Sequence, residues 1–199
     1  MEILGQCRDY AVCIKPVGAD SEKEMPALLS EQLGGDFYPV HRLDLNVGGV
    51  MVYARNSRAA ALFSEEIREG TFRKEYVARV HGMPPQKGEW EDLLYRDRKL
   101  NKTFVVRRMR SGVKPARLSF VRLSEEEPAL VRIRLYTGRS HQIRVQFASR
   151  GYPLMGDHKY GARDEEKAPM LFSCRLEFPW EGKACCFESF PHWAAPEQK

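Results

Sequence analysis

Short apolar runs, each closed by turn residues, recur along this chain and constrain its fold more than any other feature. They occupy residues 10–14, 49–54, 72–80, 102–106, 117–121, 129–135 and 170–178. Runs of this length, rich in Val, Ile, Tyr and Phe and bounded by Gly, Pro, Asn or Asp, predict strands. In the stretch from Tyr76 to His81, alternation puts Tyr76, Ala78 and Val80 on one face and Arg79 and His81 on the other. Tyr76 is therefore a core residue or a site residue. Three stretches instead carry helical signals. Residues 25–33 stop at Gly34-Gly35. Residues 57–69 have Asn56 or Ser57 as N-cap, apolar Leu62, Phe63 and Ile67, and a stop at Gly70. Residues 140–150 stop at Gly151. Strands and helices without a regular βαβ rhythm indicate an α+β fold.

At 199 residues the chain is long enough for a sizeable core, and no Pro/Gly/Ser linker divides it. The expectation is one domain over residues 1–199, with 194–199 as a frayed tail. The longest apolar stretches fall far short of the roughly 20 residues a membrane helix needs, and the N-terminus lacks a signal-peptide core. We expect a cytoplasmic protein with no membrane partner. An odd count of five cysteines argues against a disulfide framework. Five scattered histidines and the lack of CxxC give no metal-ligand spacing, and neither GxGxxG nor a Walker A sequence occurs. No metal is expected.

The net charge of +5 conceals a strong asymmetry. Residues 96–117 hold nine Lys or Arg and one acid, Asp97, so this segment carries +8 and the remainder −3. Cations gathered on a ribbon, Arg107, Arg108 and Arg110 among them, suit pairing with nucleic-acid phosphates. A solvated strand pair bearing long cationic side chains fits the charge equally well.

Two polar stretches stand out. His41-Arg42-Leu43-Asp44-Leu45-Asn46-Val47-Gly48-Gly49 leads straight into an apolar strand, setting Asp44 at the edge of the core near a cation. That is a place for a nucleophilic or acid/base carboxylate, although an Asp before Gly-Gly is more often a turn residue. The stretch 137–146 begins a helix with Ser140 as cap and loads its first turns with Arg139, His141 and Arg144. Cations there oppose the helix macrodipole, which points to a binding role; the alternative is a surface helix with solvated arginines. Forked donors at Arg139 and Arg144 suit a carboxylate or a phosphate.

HRLD followed by GG and a hydrophobic strand, FRKEYVARVHG, and TGRSHQIRVQFASRGYPLMGDHKYG together resemble the RluA family of RNA pseudouridine synthases. The opening YAVCIKPVG and the closing residues 171–178 extend the resemblance over nearly the whole chain. It implies a catalytic domain with a large, mostly antiparallel sheet flanked by helices and a central cleft. It implies Asp44 as catalytic carboxylate, Tyr76 as active-site tyrosine, and Arg144 as the arginine paired with Asp44. Lys15, His41, Arg42, Arg139 and His141 are implied as RNA contacts. The chemistry implied is conversion of uridine in ribosomal or transfer RNA to pseudouridine, without a cofactor; we expect a monomer. The target base would be flipped from its stack, with Arg or His side chains filling the gap. No S4 RNA-binding domain precedes the motifs, so the catalytic domain itself is expected to grip RNA.

Departures from the family pattern fall at Val47-Gly48-Gly49, where TSG is common, at Gln146, where histidine is usual, and at Leu171-Phe172-Ser173, where LHA is typical. They bear on substrate choice and loop geometry more than on catalysis. A second reading is an inactive RNA-binding module acting in RNA folding or ribosome assembly. A glycoside hydrolase fits less well, since the site is cationic and lacks a second acid.

Overall fold

A computed structural model describes residues 1–194. The chain forms two compact units, Met1–Glu75 with the segment from Phe172 onward, and Tyr76–Leu171.

The first unit holds β1 (Ile3–Gln6), β2 (Tyr10–Lys15), α1 (Glu24–Leu33), β3 (Tyr38–Pro39), β4 (Gly48–Ala54), α2 (Ser57–Glu69), β10 (Leu171–Trp180) and β11 (Lys183–Glu188). Its strands run in the order β1-β2-β4-β10, with β3 on β4 and β11 on β10. These pairings are antiparallel except β10 with β4, which is parallel at Phe172↔Gly48 and Ser173↔Gly49. β4 is buried at every position, as its unbroken apolar run requires. One parity, Val50, Val52 and Ala54, joins Tyr10 and Val12 of β2, Phe63 of α2, Phe72 and Phe178 in a single cluster. The other parity includes Tyr53, whose Oη donates to the Ser21 carbonyl at 3.0 Å. α2 follows its sequence signals closely: Asn56 Oδ1 accepts from the Ala59 N–H at 2.8 Å, and Gly70 closes the helix in the left-handed region.

β5 (Arg73–Val80) carries the chain into the second unit, which contains β6 (Lys87–Asp97), β7 (Lys102–Val106), β8 (Val113–Arg122), β9 (Ala129–Leu135) and α3 (Gln142–Ala148). Here the order is β5-β9-β8-β6-β7. Strict alternation on β8 buries Ala116, Leu118 and Phe120 and exposes Arg117 and Val121. The buried face receives α3: Phe147 packs 4.7 Å from Trp90 and 5.3 Å from Phe120, and Val145 meets Leu94 and Ala116.

The structure departs from the sequence-based expectations in several places. β1, β3, β6 and β11 lie outside the predicted strand runs. In β6 the run Glu-Trp-Glu-Asp carries charge on a half-exposed strand and hides the periodicity, while β8 starts at Val113 and passes through Pro115, opposite Leu93. α3 is shorter than expected and Ser140 does not cap it. The cap position falls to His141, in the left-handed region at φ 54°, and the Gln142 side chain accepts from the Arg139 N–H instead. Of the expected tail, Ala194 is buried in a 3-10 turn, and the rest lies outside the described residues.

Candidate active site

In the first unit the candidate residues expected from the sequence, His41, Arg42 and Asp44, lie in and beside the loop that leads into β4. The Ser21 hydroxyl donates to the Leu43 carbonyl at 3.0 Å and accepts its N–H at 3.2 Å, and the Gly18 N–H donates to the Leu45 carbonyl at 2.9 Å. Asp44, half-buried, closes the loop through its carbonyl, which accepts from the Val47 N–H at 3.0 Å. The loop is thus clamped on both sides of the carboxylate.

Lys15, expected to contact RNA, is fully buried. Its ammonium donates to the carbonyls of Pro16 and Ala19, both at 2.8 Å, and of Leu45 at 3.3 Å. With its protons committed to these carbonyls it tethers the Asp44 loop to the preceding turn rather than reaching a phosphate. Burial lowers its pKa to about 8, against the opposing pull of the Asp20, Asp44 and Glu24 carboxylates. His41 is likewise committed to the fold. Its Nε2 accepts from the Val52 N–H at 3.3 Å, its ring lies 5.5 Å from that of Phe72, and Nδ1 is sealed from solvent. Burial, with a smaller contribution from the Lys74 charge, pushes its pKa down to about 3. Arg42 is exposed and pairs with Glu22 at 2.7 Å. Exposed pairs of this kind are worth about 0–1 kcal/mol, little enough for a phosphate to displace.

Around the departures from the family pattern, Gly48, Ser173 and Gly49, the last of which keeps the family's glycine, have local roles. A methyl on Gly49, at φ +130°, would overlap the Ser173 backbone, with its nitrogen only 2.5 Å away, so glycine is obligatory there. Beside it, a Cβ on Gly48 would sit 3.4 Å from Val17 and 3.6 Å from the Phe172 ring; these apolar groups line the space a serine would use. The Ser173 hydroxyl donates to the Val50 carbonyl at 3.0 Å.

Tyr76, the first residue of the second unit, is buried, 6% exposed. Arg144 is buried too, and its guanidinium forms a two-pronged ion pair with Asp157, Nε to Oδ2 at 2.6 Å and Nη2 to Oδ1 at 2.7 Å. Asp157 is a partner the sequence reading did not name. Its presence in GDHKYG, thirteen residues beyond an arginine in a cation-rich helix start, was the available signal. His141 lies between Tyr160 Oη, 2.9 Å from its Nδ1, and Arg96, 3.5 Å from its Nε2. Arg139 donates from Nε to the Pro115 carbonyl at 2.9 Å. Gln146 is wholly buried and donates to Asp92 at 2.7 Å; Asp92 also receives the Arg150 fork at 2.8 and 3.1 Å, an arrangement that fixes α3 to β6.

Arg107, Arg108 and Arg110 all fall in the exposed loop between β7 and β8. Arg110 stacks 5.0 Å from the Tyr95 ring. Arg117, at the end of the basic segment, is paired with Glu89 at 2.6 Å and Glu91 at 3.3 Å. The surplus cation therefore concentrates at the β6–β7 turn and in the 107–112 loop. Among the described residues no group of three or more His, Cys, Asp or Glu side chains is disposed to hold a metal, and no helix is long and apolar enough to cross a membrane.

Two solved structures share this α+β architecture. Human RNA Pseudouridylate Synthase Domain Containing 1 aligns with a TM-score of 0.82 at 23% identity, covering 96% of this chain and 83% of that one. Human RNA Pseudouridylate Synthase Domain Containing 4 aligns at 0.80 and 24%, covering 96% and 89%. Sequence carries the assignment from fold to family. The RNA pseudouridylate synthase family profile matches residues 9–149. An uncharacterized RNA pseudouridine synthase of Aquifex aeolicus is 33% identical over 87% of this chain and 60% of its own length. The dual-specificity RNA pseudouridine synthase RluA of Vibrio parahaemolyticus is 36% identical over 71% of this chain and 57% of its own. The chain belongs to the RNA pseudouridylate synthase family. It spans 42% of the length of a Chloroflexus aurantiacus relative that is 36% identical over 66% of this chain, and 60% of the Aquifex protein.

Proposed function

We propose that this protein is an isomerase that converts uridines in structured RNA, ribosomal or transfer, to pseudouridine, acting as a monomer in the cytoplasm. The reaction breaks the N1–C1′ glycosidic bond, forms a C5–C1′ bond, and moves a proton from C5 to solvent while N1 gains one. It balances with no oxidant, reductant or bound cofactor.

Asp44 is assigned as the catalytic carboxylate, attacking C1′ or assisting proton removal from the sugar. Arg144 is assigned as its cationic partner. Tyr76 stacks on the detached uracil and assists loss of the C5 proton. Arg42, Arg139 and His141, with the 107–112 loop, are assigned to RNA. The observation that carries this reading is that one family match, residues 9–149, contains Asp44, Tyr76 and Arg144 together, each in its own motif.

Tritium release from RNA labelled at uridine C5 tests it. Release by the wild type and its abolition in Asp44→Asn support the synthase. RNA binding with no release by the wild type would leave an RNA-binding module and refute the proposal.

A further inference from the structure

The loop that follows α3 holds Arg144 far more firmly than a surface arginine is held, and every part of that grip lies within the second unit. The Asp157 fork engages Nε and Nη2 and fixes the guanidinium plane; Asp157 itself is 1% exposed. The Tyr160 ring lies 5.2 Å from the same guanidinium. Tyr160 is in turn anchored by its hydroxyl, which accepts the Thr103 N–H of β7 at 2.8 Å, lies 3.2 Å from the Thr103 carbonyl, and meets His141 Nδ1 at 2.9 Å. The Lys102 ammonium is 5.1 Å from the same ring. One phenol thus connects the strand that leads into the basic loop with the arginine assigned above to catalysis.

The loop is itself tied down. Tyr160 and Ala162 donate their N–H groups to the Asp157 carbonyl at 2.9 and 3.2 Å, and the two ring nitrogens of His158 lie 3.1 and 2.9 Å from the carbonyls of Ala162 and Glu166. These bonds raise the His158 pKa. A buried ion pair is a poor way to add stability, because the desolvation of both partners offsets their attraction. Such a pair makes physical sense where a guanidinium must be held in one orientation.

We propose that Asp157 and Tyr160 are positioning residues for Arg144: the carboxylate fixes the plane of the guanidinium, and the phenol sets its height against β7. The inference rests on the synthase reading, in which Arg144 acts at the chemical step. It predicts that disturbing either residue slows chemistry without loosening RNA. A displacement of about 1 Å in a reacting constellation costs on the order of 100-fold in rate.

Single-turnover tritium release, with RNA affinity measured in parallel, tests this on Asp157→Asn, Asp157→Glu and Tyr160→Phe. A residue that only stabilises the fold lowers the amplitude of the turnover, through the folded fraction, and leaves its rate constant intact. A positioning residue lowers the rate constant. The expected result is a rate constant about 100-fold lower in Asp157→Asn, partial recovery in Asp157→Glu, and a smaller loss in Tyr160→Phe, which keeps the ring and removes the tether. RNA dissociation constants should stay within about threefold, under 1 kcal/mol. Rate constants within twofold of wild type in Asp157→Asn and Tyr160→Phe would overturn the inference while leaving the synthase reading intact. Should Asp157→Asn fail to fold, Tyr160→Phe decides by the same criterion. A wild type without turnover would overturn both.

Discussion

Acidification should act on this fold through His41. In the native state Nε2 accepts from the Val52 N–H, so the neutral ring carries its proton on the sealed Nδ1. A second proton could enter only at Nε2, by breaking the bond to β4 and placing a charge near the Lys74 ammonium. The folded imidazole therefore titrates at about 3, against 6.5 in the unfolded chain. Between these values the unfolded state binds the extra proton, so stability falls as pH falls through that window and levels off below the folded value. Each pH unit below the unfolded value costs about 1.4 kcal/mol. From pH 7 to pH 5 the loss attributable to His41 is about 2 kcal/mol, which for a chain of this size lowers the melting temperature by roughly 4–8 °C. Carboxylates titrate over the same range, so the comparison is with His41→Gln, whose side-chain oxygen offers an acceptor without a titrating group. Urea denaturation of both proteins at pH 7 and pH 5 isolates the difference. Parallel loss of stability in the two would refute the reasoning, since it would mean that His41 accepts a proton in the folded state at no cost.

Two other perturbations separate binding from folding. Replacing Arg107, Arg108 and Arg110 together by alanine removes three exposed cations from one loop; the slope of log affinity against log salt should shrink by about 2–3. RNA binding measured across a KCl series checks this, and an unchanged slope would exclude the loop from the interface. Gly49→Ala should destabilise the first unit by about 3 kcal/mol, because it combines backbone strain with overlap on the Ser173 backbone. Gly48→Ala, whose Cβ would lie 3.2 Å from the Lys15 carbonyl, should cost roughly 1 kcal/mol. Denaturant midpoints give the ranking, and equal effects at the two glycines would contradict the close approach of β4 and β10.

Much of the local structure is legible in the sequence. α2 begins at the residue expected and ends at Gly70, because a side-chain cap and a left-handed glycine are both encoded within one turn of the helix. β7 and β9 fall at their expected limits because their runs are short, apolar and cleanly bounded. β6 was missed because a half-exposed strand bearing Glu89 and Glu91 shows no clean alternation; those charges are accommodated by Arg117 on the neighbouring strand. Ser140 looked like a cap, yet its hydroxyl accepts from Arg96 at 2.5 Å and its carbonyl from the Thr103 hydroxyl at 2.8 Å.

What the chain determines alone is the strands and helices with clean local signals, the concentration of positive charge in residues 96–117, and the motifs that place Asp44, Tyr76 and Arg144 in one family. Periodicity, capping and composition act over a few residues, and so can be read along a line. Tertiary structure decided that Lys15 and His41 face inward, that Gln146 answers to Asp92, and that Arg144 is gripped by Asp157 and Tyr160. In each case the outcome depends on which groups meet once water is excluded. A cation expected at a phosphate becomes a tether when three carbonyls reach it first, and no spacing rule in the sequence records that encounter.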